Sequence, residues 1–232
     1  MKRKPAEALQ IAIDGPVASG KSTVAKRLAA RLGFLFLDTG ALYRAVAYIV
    51  LQTGQNDMHE ADVVARIQSD APQVVIDPAD PLNYRIRVGD QLLREQLFSA
   101  PVAGVVSRVA AMPGVRRQLL AAQRAFADER AIVMAGRDIG TVVLPQARHK
   151  FFLTASLATR VERRLRQLHA RGIEITREAL TQEIEQRDRR DSTRQVSPLV
   201  RAQDAIELDT SRMSVDDVVD ELQRLVGGQG GP

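Results

Sequence analysis

The chain has 232 residues, of which 45% are hydrophobic and 26% charged, and it contains no cysteine. These values describe one globular domain with a full hydrophobic core, and they exclude disulfide bonds and thiol catalysis. The sequence has no apolar run of the roughly 18 residues that a membrane span needs. Its first seven residues lack the apolar segment of a secretory signal, so we expect a cytoplasmic protein with no membrane partner. The net charge of +5 suits nucleic acid or small polyanions, but an aromatic content of 4% without tryptophan disfavours base stacking.

Apolar runs alternate with helical patterns along the chain, which predicts βαβ units and a central parallel sheet with helices on both faces. The predicted strands are 9–13, 34–37, 131–134, 150–153 and 205–208. The predicted helices are 21–32, 40–53, 59–69, 99–128 with a break near Pro113, 156–171, 176–190 and 215–226.

One stretch breaks this alternation. Residues 73–93 predict three short strands joined by proline and glycine turns, so we interpret 66–107 as a small antiparallel β insertion in an otherwise single domain, 1–232. The glycine-rich segment 227–232 has nothing to bury and predicts a disordered tail.

The strongest local signal is the segment Gly15–Ser22, which fits G-x-x-x-x-G-K-[ST] between a strand and a helix. Gly15 and Gly20 allow successive backbone amides to point at a phosphate at the positive end of the following helix. Lys21 is predicted to reach the β- and γ-phosphates of a nucleotide, and the Ser22 hydroxyl to ligate Mg²⁺. The predicted ATP-binding residues are Gly15, Pro16, Val17, Ala18, Ser19, Gly20, Lys21, Ser22 and Thr23. The fold expected from this signal is a three-layer P-loop NTPase fold.

The remaining residues favour a kinase over a GTPase or a motor. The chain has neither an N-K-x-D nor a D-x-x-G motif, and the strand at 131–134 does not end in acidic residues. It does have arginines at loops and helix ends, which suit the transfer of a phosphoryl group between two anions. These are Arg44, Arg116, Arg137, Arg187, Arg189, Arg190 and Arg194.

Several separated segments together resemble the bacterial cytidylate kinase family of nucleoside monophosphate kinases. They are Ile13-Asp-Gly-Pro with the phosphate loop, and the segments 37–44, 105–116, 136–145 and 187–194. The resemblance implies transfer of the γ-phosphoryl group of MgATP to CMP or dCMP, which gives CDP or dCDP and ADP. It also implies that 66–107 is a nucleoside-monophosphate-binding subdomain and that 187–197 is a lid.

The resemblance further implies a set of substrate ligands. Arg44, Arg137 and Arg194 are the implied ligands of the CMP phosphate, and Arg187 with Asp191 the implied contacts of the ribose. Asp138, Ser107 and Arg116 are implied to read the cytosine edge, and Thr39 is assigned to the same substrate site. The catalytic set is Lys21 with the lid arginines Arg190 and Arg194.

The chain departs from the family at one position and leaves one role open. The family usually has an acidic residue where this chain has Ala135, so Asp38 or Asp14 would have to assist Ser22 at the metal. Asp14 alone is equally compatible with a role at the metal and with capping the turn after the first strand.

Other residues predict no rival site. The three histidines, His59, His149 and His169, are scattered and are expected at the surface or in loops, and the basic segment 160–169 is expected to be a solvated helix face. Two alternatives stay open: another small-molecule kinase of the shikimate or gluconate type, and a nucleotide-regulated nucleic-acid-binding module. Under the main interpretation the partners are the small nucleotides CMP, dCMP and ATP, not nucleic acid, and the protein is a monomer.

Overall fold

The computed structural model describes residues 9–54, 59–77, 79–128 and 130–228 of the chain. Eight strands lie in this part: β1 (Gln10–Asp14), β2 (Leu35–Asp38), β3 (Gln73–Asp77), β4 (Asp80–Val88), β5 (Gln91–Leu93), β6 (Ile132–Gly136), β7 (His149–Thr154) and β8 (Ile206–Asp209). The α-helices there are α1 (Lys21–Leu32), α2 (Gly40–Gln52), α3 (Glu60–Ser69), α4 (Ala100–Val109), α5 (Pro113–Ala127), α6 (Leu157–His169), α7 (Arg177–Thr193) and α8 (Val215–Gly228). A 3₁₀ helix (Glu95–Phe98) and a π-helical turn (Ile139–Val143) complete the elements.

The central sheet has five parallel strands in the order β2-β6-β1-β7-β8. β1 and β6 lie inside the sheet, where both faces are covered, and residues 11–13 and 132–135 of these strands are accordingly buried and apolar. Helices α1 and α8 cover one face, and α5 with the π-helical turn covers the other. The predicted three-layer fold with its parallel sheet is confirmed. The five strands of the central sheet point the same way, so their carboxyl ends form one edge, where ligands bind in folds of this type.

The antiparallel insertion is also confirmed, as a three-stranded sheet in the order β3-β4-β5. The insertion packs against the rest of the protein. Its buried residues Ile86 and Leu93 belong to an apolar cluster formed mainly by α2, α3, α4 and α5, and the Tyr84 ring lies 5.9 Å from the Phe36 ring of β2.

A second subsidiary unit is the helix pair α6 and α7. The two helices share a small apolar cluster that includes Val161, Leu165 and Ile184, and the side chain of Val17 from the phosphate loop packs against it. α6 and α7 each begin at a hydroxyl side chain, Ser156 and Thr176, that accepts a backbone N–H three residues later.

The break predicted near Pro113 in the helix 99–128 is confirmed, since α4 ends at Val109 and α5 begins at Pro113. Three other sequence predictions need correction. α7 runs three residues further than predicted, to Thr193. His149, expected at the surface, is buried in β7. In the predicted tail 227–232, Gly227 and Gly228 still belong to α8, and the remaining residues lie outside the described part.

None of the helices in the described ranges combines the length and the apolar character needed to cross a membrane.

Candidate active site

The predicted phosphate loop connects the carboxyl end of β1 to the first turn of α1, so its backbone amides face the edge where the strands end. Gly15 has a φ of 154°, and a Cβ there would collide with the backbone oxygen of Leu153 in β7. Ala18 and Gly20 also have positive φ values, 59° and 91°. The tight turn therefore requires a glycine at 15, and it leaves the loop wrapped around an open anion site.

Lys21 lies under this loop. Its Nζ donates a hydrogen bond of 3.0 Å to the backbone oxygen of Pro16, and its side chain is buried. Burial holds the pKa of Lys21 well below its usual range, and repulsion from Arg137 lowers it further. A bound phosphate would relieve both effects, which is the behaviour expected of a lysine that receives an anion. Thr23, in contrast, is exposed on the first turn of α1.

The side chains suited to Mg²⁺ lie beside the loop. The Ser22 hydroxyl donates a 2.6 Å hydrogen bond to a carboxylate oxygen of Asp38, whose other oxygen accepts the Gly40 N–H at 3.0 Å. Ala135 is the neighbour of Asp38 in the strand register, so β2 supplies a carboxylate at this edge where β6 has none. Asp14 is committed elsewhere, because its two oxygens accept the N–H groups of Ile139 and Gly140 at 2.8 and 2.7 Å.

These oxygen donors fit Mg²⁺ in chemical type. Within the residues that the structure describes, no group of three or more histidine, aspartate or glutamate side chains could hold a metal ion by itself. The hydroxyl and carboxylate here would therefore need phosphate oxygens and water to complete a coordination shell, as is usual for Mg²⁺ at nucleotide sites.

Opposite the loop lies a cluster of arginines from three helices and the segment after β6, which we call the arginine cluster: Arg44, Arg137, Arg164 and Arg187. Burial lowers the pKa of Arg187 to about 10, with repulsion from Arg137, Arg44 and Arg164 adding to the effect and Asp191 opposing it. Burial likewise lowers the pKa of Arg44. Asp191 is the carboxylate beside Arg137 and Arg187, whereas Asp38 acts on Arg44 and Glu183 on Arg164. Four guanidinium groups so close together suit a polyanion.

Asp191 of α7 connects the arginine cluster with Arg194. It receives a 2.9 Å hydrogen bond from Arg137 Nε, and Arg194 Nη1 lies 3.8 Å from its other oxygen. Burial would raise the pKa of Asp191, but the charge and the hydrogen bond of Arg137, with the charges of Arg187 and Arg194, hold it below its usual range. The predicted ligands Arg137, Arg187, Asp191 and Arg194 are thus brought together by the structure.

A second group surrounds Asp138, directly after β6. Arg116 Nη2 lies 2.5 Å from one oxygen of Asp138, and Arg194 Nη2 lies 3.8 Å from the other. Arg116 is buried with its guanidinium 5.2 Å from the centre of the Tyr43 ring. A carboxylate and two guanidinium groups at one buried spot can offer an acceptor and donors to one polar edge of a ligand.

The remaining predicted residues border these groups. Ser107, Arg187 and the exposed Arg190 line a cavity of about 330 Å³ between α4, α6 and α7. The Ser107 hydroxyl is buried, and no residue of the described ranges forms a hydrogen bond with it, so it is available to a ligand. Thr39 is buried, and both its backbone N–H and its hydroxyl donate to the oxygen of Ala135, at 3.0 and 3.1 Å, which orients the start of α2.

Gly136 allows the end of β6 to approach Thr39 and Ile139 closely. A Cβ at this position would lie 2.7 Å from Thr39 Oγ1 and 2.6 Å from the side chain of Ile139, so only glycine lets the end of β6 pack between them. The Arg137 and Asp138 side chains therefore start from a fixed backbone.

Sequence reasoning missed the inward-facing arginines of α6. The segment 160–169 was expected to be a solvated face, yet Arg160 is buried and Arg164 lines the 330 Å³ cavity. Arg163 donates to backbone oxygens of Ser19 in the loop and of Thr210 after β8. The available signal was topological: α6 follows β7, the sheet neighbour of β1, so its first turns had to begin at the edge that holds the phosphate loop.

The loop between β1 and α1, the strand order and the facing arginines together define a P-loop kinase, in which one site holds a nucleotide triphosphate and the other an anionic acceptor. Comparison with known proteins narrows the class. The family model for cytidylate kinase matches residues 11–227, and the chain belongs to this family. The resemblance drawn from the separated segments is thereby confirmed.

Individual relatives agree. A cytidylate kinase of Thermotoga maritima is 45% identical over 94% of this chain and 96% of its own length. One of Limosilactobacillus reuteri is 43% identical over 94% of this chain and 95% of its own length. Among solved structures, an uncharacterized protein of Eubacterium ventriosum shares the fold with a TM-score of 0.53 at 15% identity, covering 95% of this chain and 99% of that one.

Proposed function

We propose that the protein transfers the γ-phosphoryl group of ATP to the phosphate of CMP or dCMP, giving CDP or dCDP and ADP. The observation that carries this proposal is the arginine cluster, in which Arg44 and Arg187 are desolvated beside other guanidinium groups and Arg187 Nε has no hydrogen-bond partner in the described ranges. Family membership supports the choice of cytidylate as that anion, over shikimate, gluconate or a nucleic acid.

The donor nucleotide would occupy the loop at 15–23. Backbone amides of the loop and the Lys21 ammonium would hold its phosphates, and the closing of the site would exclude water that could otherwise accept the phosphoryl group. Mg²⁺, when bound, supplies positive charge that draws electron density from the phosphate oxygens. Ser22 with Asp38 is the pair we propose to hold it, because Asp14 is already engaged by two backbone N–H groups.

The acceptor would lie between the arginine cluster and Asp138. In this arrangement Arg44, Arg137 and Arg194 bind the CMP phosphate, and Arg187 and Asp191 contact the ribose. These groups place the acceptor phosphate toward the loop, and their positive charge offsets the repulsion between the two phosphates.

The cytosine base would be read at its polar edge. Asp138 is the proposed acceptor for the N4 amino group, and the Ser107 hydroxyl and the Arg116 guanidinium are the proposed donors to the ring acceptors. The free hydroxyl of Ser107 supports this role, since a buried hydroxyl without a partner is uncommon in a folded protein.

The insertion and the lid complete the proposal. We assign 66–107 as the part that closes on the nucleoside monophosphate, and 187–197 as the lid that brings Arg190 and Arg194 over the transferring phosphoryl group. We further propose that the protein acts as a monomer in the cytoplasm, where ATP and CMP are available.

An acceptor panel tests the proposal directly. With ATP and Mg²⁺ present, we expect ADP release with CMP and dCMP, weaker release with UMP, and none with shikimate or gluconate. Lys21→Ala should reduce kcat with CMP by at least about 100-fold, because the variant lacks the ammonium that neutralises negative charge on the phosphates during transfer.

Lys26→Ala is the matched control, since Lys26 lies on the same helix and contacts Asn83, away from the loop. It should retain near-normal turnover. Retention of normal turnover by Lys21→Ala, or phosphorylation of shikimate in preference to CMP, would contradict the proposal.

A further inference from the structure

The lid helix α7 also reaches the phosphate loop, through a residue that the proposed function does not use. Asp188 lies between Arg187 and Asp191, and its carboxylate points to the opposite side, toward Val17 at the tip of the loop. Asp188 Oδ1 accepts the Val17 N–H at 3.4 Å, and Asp188 Oδ2 lies 2.5 Å from Arg160 Nη1.

Arg160 contacts both Asp188 and Val17, so the three residues form a closed set of contacts. The same Nη1 also donates to the backbone oxygen of Val17 at 3.2 Å, and Arg160 Nε donates to the oxygen of Ala155 at 3.1 Å. Both polar groups of one loop residue are thereby held from α6 and α7, and the Val17 side chain packs against the apolar cluster of the same two helices. We call Asp188, Arg160 and Val17 the loop latch.

The loop latch is largely buried, so its contacts are protected from competition by water. The side chain of Arg160 is 10% exposed and that of Asp188 23% exposed. A charge-assisted pair at this depth is stronger than a surface ion pair, and removal of one partner leaves the other without compensation. The position of Asp188 therefore constrains the backbone of Val17, next to the strained residue Ala18 with a φ of 59°.

One turn of α7 consequently touches both nucleotide sites. Arg187 and Asp191 face the arginine cluster, whereas Asp188 faces the phosphate loop. A ligand that fixes the position of α7 through Arg187 and Asp191 also fixes the carboxylate that holds the loop. By linkage the effect is reciprocal, since a nucleotide that orders the loop favours the same position of α7.

We propose that Asp188 is a positioning residue that couples the two nucleotide sites, so that occupation of the acceptor site tightens the binding of the donor at the phosphate loop. The inference rests on the proposed function in taking CMP as the acceptor. It adds a residue and a coupling that the proposed function does not contain.

Titration calorimetry tests it with a non-hydrolysable ATP analogue and Mg²⁺, in the absence and presence of saturating CMP. For the unaltered protein we expect CMP to lower the Kd of the analogue by about 5-fold or more, the lower end of typical coupling between sites. In Asp188→Ala this ratio should fall to near 1, and the Kd of the analogue alone should rise several-fold because the loop is less constrained. The Kd of CMP alone should change by less than about 2-fold.

Two further variants separate positioning from general damage. Glu185→Ala removes an exposed carboxylate from the same helix and should keep the coupling of the unaltered protein. Asp188→Asn keeps an oxygen that can accept the Val17 N–H but loses the charge that pairs with Arg160. It should show intermediate coupling, and it becomes the deciding variant if Asp188→Ala does not fold.

The outcomes are distinguishable from those of the proposed function. If the unaltered protein binds the analogue but not CMP, the proposed function fails. The role of Asp188 in holding the loop is then still tested by comparing the Kd of the analogue for Asp188→Ala with that for Glu185→Ala. If CMP is a good substrate but either Asp188 variant keeps full coupling, or the unaltered protein shows none, the coupling role of Asp188 is wrong and the proposed function stands.

Discussion

At the scale of single residues, the site is organised by burying positive charge. Lys21, Arg44, Arg187 and Arg194 all have pKa values lowered by burial, although each is held near at least one aspartate. Desolvated cations are unfavourable unless they are paired. In this protein they are partly paired with Asp38, Asp138 and Asp191, and we expect bound phosphates to complete the pairing.

Asp138 is the residue that we propose distinguishes cytosine from uracil. A buried carboxylate accepts from the N4 amino group of cytosine but opposes the O4 acceptor of uracil. In Asp138→Asn the amide can donate to O4 and can still accept from Arg116. We expect the ratio of kcat/KM for CMP to that for UMP to fall by about 10-fold or more.

Steady-state kinetics with both acceptors measure this ratio, and Asp216→Asn, at an exposed position of α8, is the control with the same chemical change. A ratio in Asp138→Asn equal to that of the control would show that the base is read elsewhere.

At the scale of elements, most of what the sequence predicted came from local patterns. The loop at 15–22 could be recognised because its residues are contiguous and the strand and helix that hold it are adjacent in sequence. The insertion was visible because its turns interrupt the helical pattern. The contact of Arg160 with Asp188 joins residues 28 positions apart, and that of Arg116 with Asp138 joins residues 22 apart. Such pairs depend on how helices pack, which periodicity alone does not give.

The same limit explains the errors. The arginines of α6 have the spacing of an exposed basic face, but Val161 and Leu165 turn the helix so that Arg160 and Arg164 point inward. His149 gave no signal of burial, because a single polar residue before an apolar strand is compatible with either environment. The π-helical turn after Asp138 could not be predicted, since its backbone geometry is set by Asp14, more than 120 residues away in sequence.

The link between β1 and the π-helical turn predicts a pH dependence of stability. Burial raises the pKa of Asp14 from 3.8 to about 6, although the N–H groups of Gly140 and Ile139 oppose the increase. The folded protein thus binds this proton more tightly than the unfolded chain. The stabilisation from Asp14 is fully present below about pH 3.8 and is lost as the pH rises through about 6.

We therefore expect the free energy of unfolding of the unaltered protein to fall by about 2 kcal/mol relative to Asp14→Asn between about pH 4 and about pH 7. Denaturant unfolding of both proteins across this range measures the difference, in which the other titrating groups cancel. A difference that stays constant with pH would mean that folding leaves the pKa of Asp14 unchanged.

At the scale of the whole molecule, three units supply the side chains of the proposed substrate site. The parallel sheet supplies the loop and Asp138, α2 and α4 beside the insertion supply Arg44 and Ser107, and the pair α6 and α7 supplies Arg164 and Arg187. A ligand that touches all three units binds only the folded arrangement. Its binding energy therefore adds directly to the stability of the fold.

Stabilisation of the fold by a bound ligand can be predicted and measured without catalysis. CMP at 100 times its Kd should stabilise the folded protein by about 2.7 kcal/mol, which for a chain of this size raises Tm by roughly 5–10 °C. Cytidine, which has the base but no phosphate for the arginine cluster, should raise Tm by less than about 1 °C at the same concentration, and so should shikimate and gluconate. Thermal unfolding followed by far-UV circular dichroism measures all four ligands.

A single-stranded RNA oligonucleotide, added at about 0.15 M salt, completes the series, because it offers phosphates without the geometry of a monophosphate acceptor. Its effect should stay below that of CMP, since contacts that depend on net positive charge alone weaken steeply with salt. If cytidine stabilised the protein as much as CMP, the arginine cluster would not be the phosphate site. If RNA gave the largest shift, the proposed substrate site would bind a nucleic acid in place of a nucleoside monophosphate.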